Sequence, residues 1–101
     1  MKVRETVPAL RDLAGILDHL NKRSKQGARN VVAAYDVARD HIGRLPYAAA
    51  RITERDLWRL PLVKYPYTIF YRVVADRDDV QILRVVHSAR VKNLRRMPKA
   101  K

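Results

Sequence analysis

Tyr67-Thr68-Ile69-Phe70-Tyr71-Arg72-Val73-Val74 and Val80-Gln81-Ile82-Leu83-Arg84-Val85-Val86-His87 are the two runs on which the fold turns. Both are rich in β-branched and aromatic residues and have the length of ordinary strands. Between them lies Ala75-Asp76-Arg77-Asp78-Asp79, a short Asp-rich cluster suited to a hairpin turn. The pair reads as an antiparallel hairpin at the centre of a sheet. Strand alternation puts Tyr67, Ile69, Tyr71 and Val73 on one face and Thr68, Phe70, Arg72 and Val74 on the other. Each strand carries one arginine, Arg72 and Arg84, and a charge within an apolar strand needs a partner or an outlet to solvent.

Upstream, Lys2 to Thr6 alternates weakly and reads as a short first strand. Pro8 fits a first helical turn, where its missing N–H costs nothing. Leu10, Leu13, Ala14, Leu17 and Leu20 then form an apolar stripe at helical spacing, which Gly15 weakens without breaking. His19 falls outside that stripe and reads as solvated. Ser24 is placed to cap a second helix whose stripe is Ala28, Val31, Val32, Tyr35, Ala38 and Ile42, with Gly43 as its stop and Val37 well off the stripe. The two helices form an antiparallel hairpin. Residues 46–54 read as loop tapering into strand, and Leu57 to Val63 as a strand with Pro61 at an edge, bulge or end. The fold class is α+β: an N-terminal strand, a two-helix hairpin, and three further strands in a mainly antiparallel sheet of about four. Residues 88–96 are expected to make a short helical turn before a frayed end.

Composition bounds the function. The 101 residues fit a single domain spanning 1–101, with 91–101 a basic C-terminal tail. An apolar fraction of 48% supports a folded core. Lys and Arg number 22 against 10 Asp and Glu, a formal charge of +12, which favours an anionic partner. The absence of cysteine excludes a disulfide framework, thiolate metal sites and cysteine catalysis. His19, His41 and His87 are scattered and form no metal spacing, so neither metal nor cofactor is expected. No apolar stretch is long enough for a bilayer span, and a soluble, cytoplasmic protein without a membrane partner is the expectation.

The element order, together with Tyr65-Pro66-Tyr67-Thr68-Ile69-Phe70-Tyr71-Arg72-Val73 and Ile82-Leu83-Arg84-Val85-Val86-His87-Ser88-Ala89-Arg90, resembles the RelE/ParE superfamily of toxin–antitoxin systems, also called plasmid-stabilisation proteins. Leu10-Arg11-Asp12-Leu13, just after a proline, resembles the family's first-helix opening. The resemblance covers residues 3–90 and implies a growth-inhibiting toxin neutralised by a cognate antitoxin, ParD-like or RelB-like, in a hetero-oligomer. ParE-like members inhibit DNA gyrase. RelE-like members are ribosome-dependent endoribonucleases that cut messenger RNA without a metal.

Messenger-RNA cleavage requires a group to take the 2′-hydroxyl proton, cations for the pentavalent phosphate and an acid for the leaving oxygen. The resemblance places the key RelE arginine at the position of Thr68, which supplies no cation, and the C-terminal tyrosine of that constellation has no counterpart after His87. Lys64, Arg72 and Arg90 are the candidate catalytic residues of the ribonuclease reading, with Arg59 a further source of charge. The motifs favour the ParE branch, for which Arg72, His87, Arg90, Lys92, Arg95 and Arg96 are the candidate target-binding residues and no catalytic residue is assigned. Simpler roles stand beside these: Arg84 resting on a carboxylate, and His87 as a hydrogen-bonded strand end. A basic nucleic-acid-binding module without toxicity is the third reading. An acidic antitoxin segment could lay a helix on the helical hairpin and add a strand to the sheet edge. The sequence assigns no antitoxin-contact residues.

Overall fold

The computed structural model describes residues 1–52 and 56–91. Its elements are β1 (Lys2–Glu5), α1 (Val7–Arg23), α2 (Lys25–Arg44), β2 (Ala50–Ile52), β3 (Leu57–Pro61), β4 (Tyr67–Val74) and β5 (Asp79–His87). The strands form one sheet in the order β1-β5-β4-β3-β2. β1 runs parallel to β5, and every other pairing is antiparallel. The sheet therefore has five strands rather than four. The additional one, β2, pairs Ala50 with Arg59 and Ile52 with Leu57 within the stretch read as loop tapering into strand. Three residues beginning with an alanine carry too little β signal to stand out before their partner is known.

The β4–β5 hairpin has the expected register, with Tyr67 opposite His87 and Val74 opposite Asp79. Asp78 closes its turn in the left-handed region (φ 54°), which a short polar side chain tolerates better than a branched one. Between Phe70 and Tyr71 the pairing steps from Arg84 to Ile82, so Leu83 is the extra residue of a β-bulge. The second expected strand end differs slightly: β3 stops at Pro61, where the missing N–H lies past the end of β2.

Both helix starts are capped by hydroxyls. Thr6 Oγ1 accepts from the Ala9 N–H, and Ser24 Oγ accepts from the Gly27 N–H at 3.0 Å. On α2 the expected stripe is buried at Ala28, Val31, Tyr35, Ala38 and Ile42, while Val32 is exposed. On α1 the stripe is rotated by about one residue. Ala9 is buried and Leu13, Ile16 and Leu20 pack on the core, whereas Leu10 is exposed. The rotation follows from Thr6, whose hydroxyl also donates to the Ile82 and Leu83 carbonyls and so fixes the entry of the helix. Gly43 is not the stop of α2 but lies in its last turn, and the helix runs on to Arg44. A Cβ there would meet the Met1 carbonyl at 3.1 Å and Val3 Cγ2 at 3.2 Å. The glycine thus lets β1 cross close to the helix.

The core lies between the helical hairpin and the face of the sheet carrying Tyr67, Ile69, Tyr71, Val80, Ile82 and Val85. The opposite face is more closed than strand alternation alone implies, because Thr68 and Phe70 are buried too. A polar tie joins β1 to α2. Glu5 accepts from Tyr35 Oη at 2.7 Å and from Arg39 Nε at 2.6 Å, and Arg39 Nη2 also donates to the Val3 carbonyl. Desolvation by burial pushes the Glu5 carboxyl up, but the bonds from Arg39 and Tyr35 outweigh it and hold the group below its ordinary value.

Two predictions follow from this packing. A Cβ on Gly15, unlike one on Gly43, would meet no neighbouring element within 4 Å among the described residues. Gly15→Ala is therefore expected to raise stability by about 1 kcal/mol through helix propensity, and Gly43→Ala to lower it, both read from urea unfolding midpoints. Because the folded Glu5 pKa is depressed, its contribution is full above the ordinary carboxylate range and is lost as pH falls through the folded value. Wild type should therefore lose its advantage over Glu5→Gln on acidification below about pH 4.5, the reference carboxyl value.

Candidate target-binding groove

β1 pairs with β5 only as far as Glu5 opposite Ile82. Beyond that point, among the described residues, the outer edge of β5 has no strand beside it, and α1 takes over. Thr6 meets the Ile82 and Leu83 carbonyls, and Asp12 Oδ2 accepts from the Val85 N–H at 2.9 Å. The same carboxylate takes Arg84 as a two-point fork, with Nε at 2.7 Å and Nη2 at 3.0 Å. The hydrogen bond to Asp12, exceeding the cost of burial, raises the Arg84 pKa above its ordinary value. Arg84 is thus a structural residue resting on a carboxylate.

This clamp holds α1 beside the His87 end of β5 and leaves a groove of about 760 Å³ between them. Four arginines (Arg11, Arg23, Arg84, Arg90) and two histidines (His19, His87) line it against one acid, Asp12. Asp12 is already engaged by Arg84, so Arg11, Arg23 and Arg90 face the groove with no unengaged acid on its walls among the described residues. Arg11, Gly15, His19 and Arg23 recur at four-residue spacing along one side of α1. Tyr65, Tyr67 and His87 add rings, with Tyr67 and His87 edge to face at 5.7 Å.

Of the residues singled out from sequence, His87 and Arg90 meet in this groove. His87 Nδ1 accepts from the Ala89 N–H at 3.2 Å, which closes the strand end into a 3₁₀ turn over 88–91. Arg72 lies elsewhere. It sits five residues further along β4, on the face opposite Tyr67, and pairs in register with Gln81. Its Nε is buried with no hydrogen-bond partner among the described residues. Lys64 is exposed in the β3–β4 turn with φ 69° and does not line the groove. Lys92, Arg95 and Arg96 lie outside the described residues, as does most of the expected 88–96 turn. Arg11, His19 and Arg23 also line the groove and were not singled out, although their regular spacing along α1 was present in the sequence.

Two further features bear on chemistry. At the Thr68 position, Thr68 Oγ1 and Ser88 Oγ share a hydrogen bond of 2.9 Å. Neither hydroxyl can supply the charge a phosphate in flight requires. A second groove, about 630 Å³, runs between the outer side of α2 and the end of β3. Ala33, Ala34, Val37, Leu60 and Val63 make its lining mainly apolar, and Val37 and Val63 are 71% and 77% exposed. Among the described residues, no cluster of His, Asp and Glu could hold a metal ion, and no helix is long and apolar enough to cross a membrane.

Residues 3–92 match the family described as the ParE toxin of the type II toxin–antitoxin system parDE. The chain belongs to the ParE toxin family. Within the wider ParE/RelE superfamily, solved relatives share the fold. A chain of the chromosomal ParDE system of P. aeruginosa is 25% identical with a TM-score of 0.61, over 86% of this chain and 95% of that one. A chain of the RelBE2 complex of Mycobacterium tuberculosis is 26% identical with a TM-score of 0.54, over 85% and 95%. A chain of the intact E. coli RelBE complex, at 14% identity and a TM-score of 0.59 over 85% and 94%, shares the fold alone. No curated protein matches significantly.

The clamp generates a third prediction. Asp12→Ala leaves Arg84 without its partner and the Val85 N–H unsatisfied at a partly exposed site, so a loss of about 2–3 kcal/mol is expected. Asp12→Asn keeps an acceptor and should cost about half as much, both measured by denaturant unfolding at unchanged m-value.

Proposed function

We propose that this ParE-family toxin acts by inhibiting DNA gyrase, has no covalent chemistry of its own, and is neutralised by a cognate acidic antitoxin. Growth inhibition and plasmid stabilisation would follow from that activity. The observation that carries the reading is the Thr68–Ser88 hydroxyl pair. It lies where a ribosome-dependent nuclease of this superfamily would need an arginine and an acid or base. The dispersal of Lys64, Arg72 and Arg90 supports the same conclusion. Arg72 is on the far face of the sheet and Lys64 lies outside the groove that holds Arg90. Of the three, only Arg90 lines the groove assigned to the target.

The antitoxin is assigned to the apolar groove on α2. The P. aeruginosa and M. tuberculosis relatives belong to toxin–antitoxin systems. An amphipathic helix can set its apolar face on Val37, Leu60 and Val63 while its acidic flank meets a chain of net charge +12. The basic groove at His87 and Arg90 is the surface assigned to the target.

The test is a supercoiling assay with purified gyrase, ATP and relaxed plasmid. The expected result is loss of supercoiling with linear DNA accumulating, reversed by antitoxin. Normal supercoiling at large toxin excess, together with transcripts cut on ribosomes, would replace this reading with the endoribonuclease one.

A further inference from the structure

Gly15 sits in the middle of α1, where glycine is a poor helix former, and the packing does not explain it. Among the described residues, no atom outside its own stretch of helix lies within 4 Å of the Cβ it lacks. It does line the basic groove, in the gap between Arg11 and His19. A side chain there would project into open space, so the glycine keeps the groove wall clear. A backbone-clear gap between Arg11 and Arg23 is the arrangement a polyanion needs in order to approach the helix closely.

The dimensions narrow the ligand. At about 1.5 Å per residue, Arg11 and Arg23 stand roughly 18 Å apart along α1. That row is long enough to run beside several phosphates of one strand. Arg11, Arg23 and Arg90 are exposed and have no acidic partner within 4 Å among the described residues. Their guanidinium groups suit phosphate oxygens as two-point donors. Tyr65 and the exposed ring of His87 stand on the strand side of the groove, opposite the row. Basic groups tracking a backbone, with rings alongside for the bases, match a single strand better than a duplex. An acidic peptide would meet the same charge, but it has no planar bases to set against the rings.

We infer that the groove between α1 and β5 binds the phosphate backbone of single-stranded DNA, with Arg11, Arg23 and Arg90 as its cations and Gly15 as its clearance. The choice of DNA over RNA rests on the gyrase reading above. The groove is distinct from the apolar one on α2, with Tyr65 at the border of both. DNA and an antitoxin helix therefore have separate seats on the toxin.

The experiment is anisotropy of a labelled single-stranded DNA of about 20 nucleotides, without gyrase, titrated with full-chain toxin over a salt series. The triple variant Arg11→Ala/Arg23→Ala/Arg90→Ala is compared with Lys25→Ala/Arg29→Ala/Arg77→Ala, which removes the same charge elsewhere. The groove triple should weaken binding about 10-fold or more, and its log–log salt slope should fall by about 2, or 0.7 per lost phosphate contact. The control triple should change binding less than about 3-fold. Gly15→Leu should weaken binding while its circular dichroism stays unchanged and its thermal midpoint does not fall. Equal losses in the two triples, or unchanged binding by Gly15→Leu, would overturn the inference. So would tighter binding of an acidic peptide, an RNA of the same sequence or the duplex. DNA binding through the groove by a toxin that leaves supercoiling intact would sustain this inference while contradicting the gyrase reading.

Discussion

The Asp12 carboxylate is the constraint on which much of the rest depends. β1 is only four residues long and covers β5 no further than Ile82. The unpaired edge beyond it would invite pairing with another chain. Asp12 takes up the Val85 N–H and the Arg84 fork together, and Thr6 receives the start of α1 on the adjoining carbonyls. The helix is thereby fastened along the edge. Its rotation about its own axis, the burial of Ala9, the packing of Ile16 on the core, and the outward row from Arg11 to Arg23 all follow. The Leu83 bulge belongs to the same device, since the register step beside it is where Arg84 reaches the helix.

Much of this architecture was legible because it rests on local signals. The β4–β5 hairpin was marked by two strand-length runs around an Asp-rich turn. The second helix was marked by its Ser24 cap and a stripe that is buried at five positions. What escaped had non-local causes. The rotation of α1 is set by contacts from Thr6 and Asp12 to β5, more than seventy residues away, and no helical wheel contains them. β2 is too short to announce itself, and it exists because β3 offers an edge. Gly43 looked like a helix stop, yet it serves the close passage of β1.

The site was legible in part for the same reason. His87 and Arg90 were singled out because they lie in the strand motif, and both line one groove. Arg72 was grouped with them by charge, although strand alternation already placed it on the face opposite Tyr67, and its register with Gln81 keeps it there. Arg11 and Asp12 were visible as a motif whose purpose was hidden. Only the clamp shows that one residue of the pair holds the helix while its neighbour turns a charge toward the groove.

The account divides the surface between an apolar groove on α2 for the antitoxin and a basic groove on α1 for the target. Hydrogen–deuterium exchange of the toxin, alone and with its cognate antitoxin, tests that division most directly. The expected result is added protection over residues 30–44 and 60–65, with residues 11–23 and 85–91 little changed. Protection confined to residues 11–23 and 85–91 would place the antitoxin in the basic groove and contradict the account.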